Sequence, residues 1–409
     1  MSTATIDIKT EKRFAKRSPN TLVPELRFSE FEGDWEKKKL GDVGKIRMCK
    51  RIFSNETSEV GEIPFYKIGT FGKEADAYIT NELYLNYREK FSFPKIGDIL
   101  MSASGTLGRT VVYGGRPSYF QDSNIVWIDN KEEVITNSFL YYIYQIVRYD
   151  SEGGTIQRLY NSIINKAKFS RPSLPEQQKI ASFLSAVDEK IQQLAKKKAL
   201  LEQYKKGVMQ QLFSGKLRFK DENGNPYPDW DEKRLIEFCS FFSGGTPSST
   251  NKVFYSGTIP FIGSGNIYDS EVFSFISVEA FNSSSAKLVE KGDLLYALYG
   301  ANSGEVAISQ IEGAINQAIL CIRTKESIEY LYYVLLGYKD NIVAKYLQGG
   351  QGNLSAQIIK KLKYKFPSIE EQQKIATYLI SIDTKIEAVN NQITQTQAFK
   401  KGLLQQMFV

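Results

Sequence analysis

The chain has no histidine in 409 residues. That excludes imidazole acid–base catalysis, histidine-based triads and histidine-ligated metal centres. Cysteine is nearly as scarce. Cys49, Cys239 and Cys321 lie far apart and offer neither a disulfide framework nor a metal-ligand spacing, so a reducing cytoplasm is the expected location. No apolar run approaches the length of a membrane span. No G-x-x-x-x-G-K-[ST] loop occurs, so a P-loop ATPase is not expected, and no cofactor or metal of the chain's own is called for. Residues 1–21 carry Lys9, Lys12, Arg13, Lys16 and Arg17 without an apolar stretch, the composition of a flexible basic tail and not of a signal peptide. The net charge of +7 fits a polyanionic partner without demanding one.

What the chain does contain is one long stretch written twice. Pro172-Ser173-Leu174-Pro175-Glu176-Gln177-Gln178-Lys179-Ile180-Ala181 returns as Pro367-Ser368-Ile369-Glu370-Glu371-Gln372-Gln373-Lys374-Ile375-Ala376, an offset of 372 − 177 = 195 residues. The match runs to the far end, where Lys205-Lys206-Gly207 answers Lys400-Lys401-Gly402. Each copy reads as one helix on the order of 60 Å long. Ser173 with Glu176, and Ser368 with Glu371, have the spacing of a capping box. Apolar residues then recur in steps of four and three. The first seam is Ile180, Leu184, Val187, Ile191, Leu194, Leu201, Val208 and Leu212. The second is Ile375, Leu379, Ile382, Ile386, Val389, Ile393, Leu403 and Met407. That is a heptad seam, broken at Lys198, Lys205, Thr396 and Lys400, and it predicts that the two helices pair with each other, antiparallel, as a spacer.

The regions between the helices repeat as well. Asp34-Trp35 matches Asp229-Trp230, Ile63-Pro64-Phe65 matches Ile259-Pro260-Phe261, Gly97-Asp98-Ile99-Leu100 matches Gly292-Asp293-Leu294-Leu295, and Gly153-Gly154 matches Gly349-Gly350. Short candidate strands (Ile63–Ile68, Asp98–Ser102, Thr110–Tyr113, Asn124–Ile128), punctuating glycines and a candidate helix at Phe139–Val147 make the class α+β. The divisions are a tail at 1–21, a globular domain at 22–171, a helix at 172–215, a second domain at 216–366 and a second helix at 367–409. Between the shared anchors the two domains differ strongly.

Enzyme signatures are weak. Phe261–Gly265 matches a short F-x-G-x-G pattern for S-adenosylmethionine, but Phe65–Gly69 lacks its first glycine, and no run of Asn or Asp, two prolines and an aromatic is present to grip a flipped base. A strand and turn is the reading there. Several loops instead combine small residues, amides and cations, the means to approach a phosphodiester and read base edges. In the first domain the candidates are Lys50, Arg51, Lys67, Thr70, Lys73, Ser104 and Arg109. In the second they are Ser248, Asn251, Lys252, Ser264, Asn266 and Asn302, with a further loop at Gln348–Asn353. Any one such loop is more often an ordinary turn.

Two variable domains, each followed by a long helix opening in P-E-Q-Q-K-I-A or E-E-Q-Q-K-I-A, resemble the specificity (S) subunit of type I restriction–modification systems. The resemblance covers nearly the whole chain. Ser243-Gly244-Gly245-Thr246-Pro247 and Gly292–Leu295 support it, and the first half departs from it by carrying Lys50-Arg51 where the second has S-G-G-T-P. It implies two target-recognition domains on an internal pseudo-two-fold repeat, separated by paired helices. It also implies a chain that is not itself an enzyme: each domain reads one half of a bipartite site on double-stranded DNA, and the helices set the spacing. The partners it implies are two modification subunits carrying S-adenosylmethionine, which methylate adenine, and two restriction subunits using ATP and Mg. A stand-alone modifying enzyme with a cryptic site and a helical scaffold that binds only proteins are the competing readings.

Overall fold

Both repeated stretches fold as long helices, Leu174–Phe213 and Ile369–Gln406. None of the seam residues is exposed: Ile180, Leu184, Leu194, Val208, Leu212, Ile375, Leu379, Ile382, Val389, Leu403 and Met407 are buried, and Val187, Ile191, Leu201, Ile386 and Ile393 half-buried. The breaks in the seam are polar contacts between helices. Lys198 donates to Asn390 Oδ1 at 2.8 Å, Lys205 pairs with Asp383 at 2.6 Å, and Lys400 pairs with Asp188 at 2.7 Å. As the number rises along one helix it falls along the other, so the pair is antiparallel. Thr396 turns back to its own helix, donating to Gln392 O. Lys205–Asp383 and Lys400–Asp188 are the same ion pair made twice with the helices exchanged. Each has its own tyrosine: Tyr333 OH donates to Asp383 at 2.6 Å and Tyr142 OH to Asp188 at 3.0 Å. Gly215, at φ +73°, ends the first helix in the left-handed conformation that glycine adopts most easily.

The helix starts differ from the expected capping box. Ser368 Oγ does accept from the Glu371 N–H at 3.4 Å, but both glutamates point away from the cap. Glu176 accepts from Arg27 and from Trp35 Nε1, and Glu371 from Arg218 and from Trp230 Nε1. Gln177 and Gln372 fold back instead, each donating to the carbonyl five residues earlier at 2.9 Å. The repeated Glu-Gln pair thus ties each domain to its helix: a fully buried carboxylate needs a cation more than a helix terminus does.

This computed structural model is described for residues 22–105, 107–149, 158–347 and 353–409; the tail at 1–21 lies outside them. The chain is α+β and forms two compact units, residues 1–193 with 392–409 and residues 194–391. In the first, β1 (Glu36–Lys39) leads to β2 (Gly44–Met48), β3 (Ile63–Tyr66), β4 (Tyr78–Ile79), α1 (Asn81–Lys90), β5 (Ile99–Ser102), β6 (Thr110–Val112), β7 (Tyr119–Phe120) and β8 (Ile125–Asn130). Then come α2 (Asn137–Ile146), α3 (Asn161–Lys166), β9 (Lys168–Arg171) and the long α4 (Leu174–Phe213). One sheet has the order β2-β8-β5-β6, a second β4-β3-β7, and β1 pairs with β9. One core, around Trp35, Phe139 and Ile143, joins the larger sheet and α2 to the helices through Leu184, Leu403 and Met407; another, around Phe65, Tyr119 and Trp127, lies between the sheets.

The second unit repeats the plan. β10 (Asp231–Arg234), β11 (Cys239–Ser243), β12 (Ile259–Ile262), β13 (Phe275–Ile276), α5 (Val278–Asn282), β14 (Lys287–Val289), β15 (Leu294–Ala297), β16 (Val306–Ile308), β17 (Gly313–Ile315) and β18 (Ile319–Thr324) are followed by α6 (Ile328–Gly337), α7 (Lys339–Leu347), α8 (Ala356–Lys360), β19 (Lys363–Phe366) and α9 (Ile369–Gln406). Its sheets have the orders β11-β18-β15-β16 and β13-β12-β17-β14, with β10 paired to β19. Among the described residues no helix is long and apolar enough to cross a membrane.

Candidate nucleic-acid interface

Strand directions decide where the candidate loops go. In the first unit β3 and β7 are parallel, with Tyr66 opposite Phe120, so both end at one edge. In the larger sheet Ser102 at the end of β5 lies opposite Ile125 at the start of β8, and Met48 at the end of β2 opposite Val126. Only residues 121–124 link β7 to β8, so the two sheets end side by side. Residues 49–53, 67–73, 103–105, 107–109 and 121–124 therefore meet at a single edge. Side chains stitch it together. Arg51 Nε donates to Asp122 at 2.7 Å, Arg109 Nη1 to Phe71 O at 2.9 Å, Ile68 N to Gln121 Oε1 at 2.8 Å and Ser104 Oγ to Asn124 Oδ1 at 2.9 Å.

All seven first-domain candidates lie on this edge, with different freedom. Arg51 and Arg109 are held by the bonds above, and Lys67 by Asp76 at 2.9 Å. Lys50 lies 5.3 Å from the centre of the Phe91 ring. Thr70 closes its own turn, accepting from Lys67 N. Lys73 is exposed, with no ion-pair partner among the described residues. The structure adds Asn124 and Arg158, which donates to Ser123 Oγ at 3.2 Å. Arg158 was missed because it lies outside the glycine-rich loops that drew attention.

The second unit forms the same edge from different residues. β12 and β17 are parallel, with Ile262 opposite Ile315, and β11 ends with Ser243 opposite Leu320. Ser243-Gly244-Gly245 must be glycine-rich, because a Cβ on Gly244 would sit 1.7 Å from Ile315 O and one on Gly245 would sit 1.9 Å from Ser285 Oγ. Thr246 then donates to Gln317 Oε1 at 2.6 Å. Ser264, Asn266 and Asn302 come together: a Cβ on Gly265 would lie 3.6 Å from Asn302 Nδ2, and Asn266 Nδ2 donates to Asp269 at 2.8 Å. Ser248, Asn251 and Lys252 form an exposed turn on the connection from β11, where Asn251 accepts from Val253 N. Glu305, on the turn that carries Asn302, is pushed up by burial but held below the ordinary glutamate range by hydrogen bonds from Lys339 and Tyr268. The Gln348–Asn353 loop and the Gly153-Gly154 and Gly349-Gly350 pairs lie in or against stretches outside the described residues. The F-x-G-x-G stretch is the end of β12 and a turn closed by Asn266 N to Gly263 O.

One plan thus presents two chemically different edges, cations and amides in the first unit, hydroxyls and amides in the second. The sequence profile of the type I restriction modification DNA specificity domain matches residues 32–203 and again 227–396, starting 227 − 32 = 195 residues apart. The chain belongs to the type I restriction–modification DNA specificity family. As a DNA-recognition subunit, it resembles curated relatives of that description. It is 62% identical over 146 residues, 36% of its length and 38% of the relative's, to the putative type I restriction enzyme specificity subunit S.HindORF215P of Haemophilus influenzae. It is 25% identical over 406 residues to the putative MjaX specificity subunit of Methanocaldococcus jannaschii, covering 92% of this chain and 93% of that one. Its fold matches the crystal structure of a type I restriction–modification S subunit from M. genitalium with a TM-score of 0.58 at 17% identity, over 95% of this chain and 99% of the other.

Proposed function

We propose that each edge reads one half of a bipartite DNA target and that the antiparallel helix pair fixes the distance between the halves. The observation that carries this is the contrast between a repeated frame and unlike edges. The Lys–Asp–Tyr contacts and the buried Glu-Gln pairs recur, while Lys50, Arg51, Lys73 and Arg109 give way to Ser264, Asn266 and Asn302. Cations position a reader on phosphates, and amides and hydroxyls discriminate base edges. Chemistry falls to partners: two modification subunits that hold S-adenosylmethionine and methylate adenine, and two restriction subunits that use ATP and Mg. The helices supply the docking surface for the modification subunits, and the cytoplasm is the place of work. A repeated frame in one chain suits two identical partners. Genome-wide mapping of methylated adenines in cells with and without this chain tests the proposal. A two-part motif that disappears with the chain supports it; an unchanged methylation pattern overturns it.

A further inference from the structure

Beneath the 69–73 loop of the first unit is a cavity of about 300 Å³ that none of the contacts above uses. Tyr66 and Phe120 line it, neighbours on parallel β3 and β7 stacked on each other with ring centres 5.8 Å apart and planes 19° from parallel; Phe120 is buried in the core, so half-buried Tyr66 is the aromatic ring of the lining with open surface. Gly72 roofs it against Val111 and Arg109: at φ +76° its Cβ would lie 3.4 Å from Val111 and 3.6 Å from Arg109. The cavity is therefore continuous with the recognition edge. The charged residues of its lining are Lys73 and Arg116, both exposed and without an ion-pair partner among the described residues, and no carboxylate lines it. A half-buried tyrosine ring beside two unpaired cations fits a planar ring carrying an anion.

The second unit does not repeat it. The rings opposite each other in β3 and β7 become Ile262 opposite Ile315. The positions 195 and 196 residues beyond Lys73 are Tyr268 and Asp269, and beyond Arg116 they are Ile311 and Glu312, so neither cation has a counterpart at the repeat offset. The feature belongs to one reading head only.

We infer that this cavity receives a single unstacked nucleotide of the bound DNA, its base against Tyr66 and its phosphate between Lys73 and Arg116. The inference rests on the DNA-reading role proposed above. A paired base shows the protein only its edge, so the Tyr66 ring can stack only with a base that leaves the helix. Extrusion is cheapest where the base has lost its pairing partner. Stacking is tolerant of base identity, so the position reads conformation and not sequence.

The test uses the full chain assembled with its modification subunits and a duplex carrying its methylated motif. An abasic site is placed, one position at a time, opposite each base of both half-sites and their flanks except the methylated adenines, which the modification subunits must themselves extrude. One position on the first domain's side should bind about tenfold more tightly when its base is unpaired, the scale of one base–aromatic stack. None on the second domain's side should do so. Tyr66→Leu should abolish that gain. Lys73→Gln with Arg116→Gln, which changes only exposed side chains, should reduce it while leaving the sequence preference of the second domain intact. If no unpaired position tightens binding, or both variants keep the gain, the cavity reading is overturned while specific binding still upholds the DNA-reading role. Loss of all sequence preference in the unmodified complex would instead overturn that role. Two further outcomes overturn the inference: saturable binding of free dAMP or dTMP that is lost in Tyr66→Leu, which assigns the cavity to a soluble nucleotide, and failure of Tyr66→Leu to assemble with the modification subunits, which assigns it to protein.

Discussion

Replacing Arg27 or Arg218 with methionine should loosen one domain from its helix, and the loss can be gauged from the structure. Glu371 is fully buried and receives Arg218 Nη2 at 2.7 Å, Arg218 Nε at 3.2 Å and Trp230 Nε1 at 2.9 Å. Glu176 receives Arg27 Nε and Nη2, both at 2.7 Å, and Trp35 Nε1 at 3.3 Å. Each arginine also donates to carbonyls of the segment leading into its domain: Arg218 to Tyr227 and Pro228, Arg27 to Glu32 and Gly33. Methionine keeps most of the stem and leaves a buried carboxylate with one indole N–H, a change that costs about 3–5 kcal/mol when a buried pair is broken from one side. The Arg218 side chain is 27% exposed and that of Arg27 13%, so the second unit should lose nearer the lower figure and the first nearer the upper. For units of roughly 200 residues, each kcal/mol moves the midpoint by about 2–4 °C, so drops of about 6–20 °C are expected. Thermal unfolding followed by circular dichroism gives the shift, and peptide-resolved hydrogen exchange assigns it to a unit. Adding Glu371→Gln to Arg218→Met should recover part of the loss, because the stranded charge is gone. A midpoint within about 1 °C of the parent for Arg27→Met, or a further loss on adding Glu371→Gln, would refute the reasoning.

The carboxyls of Asp98 and Asp293 occupy matching turns, accepting from Lys95 N and Glu290 N at 2.8 Å, yet burial holds Asp98 above the usual range while Arg323 outweighs burial and holds Asp293 below it. Asp293 therefore lends stability above its unfolded-state pKa that fades as pH falls below roughly 4, whereas Asp98 costs stability as pH rises through that value. Urea midpoints measured against pH should show the second unit weakening relative to the first in acid, with Asp293→Asn reducing the difference and Asp98→Asn removing the remainder. Burial pushes Cys49 and Cys321 up to about 12 and Cys239 up to about 11, so at pH 8 a disulfide reagent should label the native chain at least about a hundredfold more slowly than the urea-unfolded one. Inserting one heptad after Ala195 and one after Asn390 preserves the seam and adds about 10.5 Å, or about three base pairs, between half-sites. Methylome sequencing should then find each half-site unchanged, a longer preferred spacer and weaker methylation, because about 100° of added twist must be absorbed.

The helices were legible because their information is local and written twice. A seam at fixed offset needs only a partner, and Lys205 and Lys400, which look like flaws in it, become intelligible once Asp383 and Asp188 are across the interface. Phe139–Val147 likewise announced α2, observed at Asn137–Ile146. The helix Asn81–Lys90 escaped notice: Tyr84 is its one buried residue, so it shows little periodicity, and Thr80 accepting from Leu83 N was its available signal. Glu176 and Glu371 were misread as caps because local spacing is silent about Arg27 and Arg218. Site residues could be gathered as loops but not as an edge. The convergence depends on β3 and β7 being parallel, a pairing between segments more than fifty positions apart. The Tyr66–Phe120 stack depends on the same pairing.

The most direct measurement of two independent reading heads on one frame is a domain exchange followed by methylome sequencing. Residues 216–366 are replaced by the corresponding segment of a relative with a different target, leaving both helices and the first domain in place. The methylated motif should change in one half, stay as it was in the other, and keep its spacer length. A motif altered in both halves, or unchanged in both, would contradict independent reading.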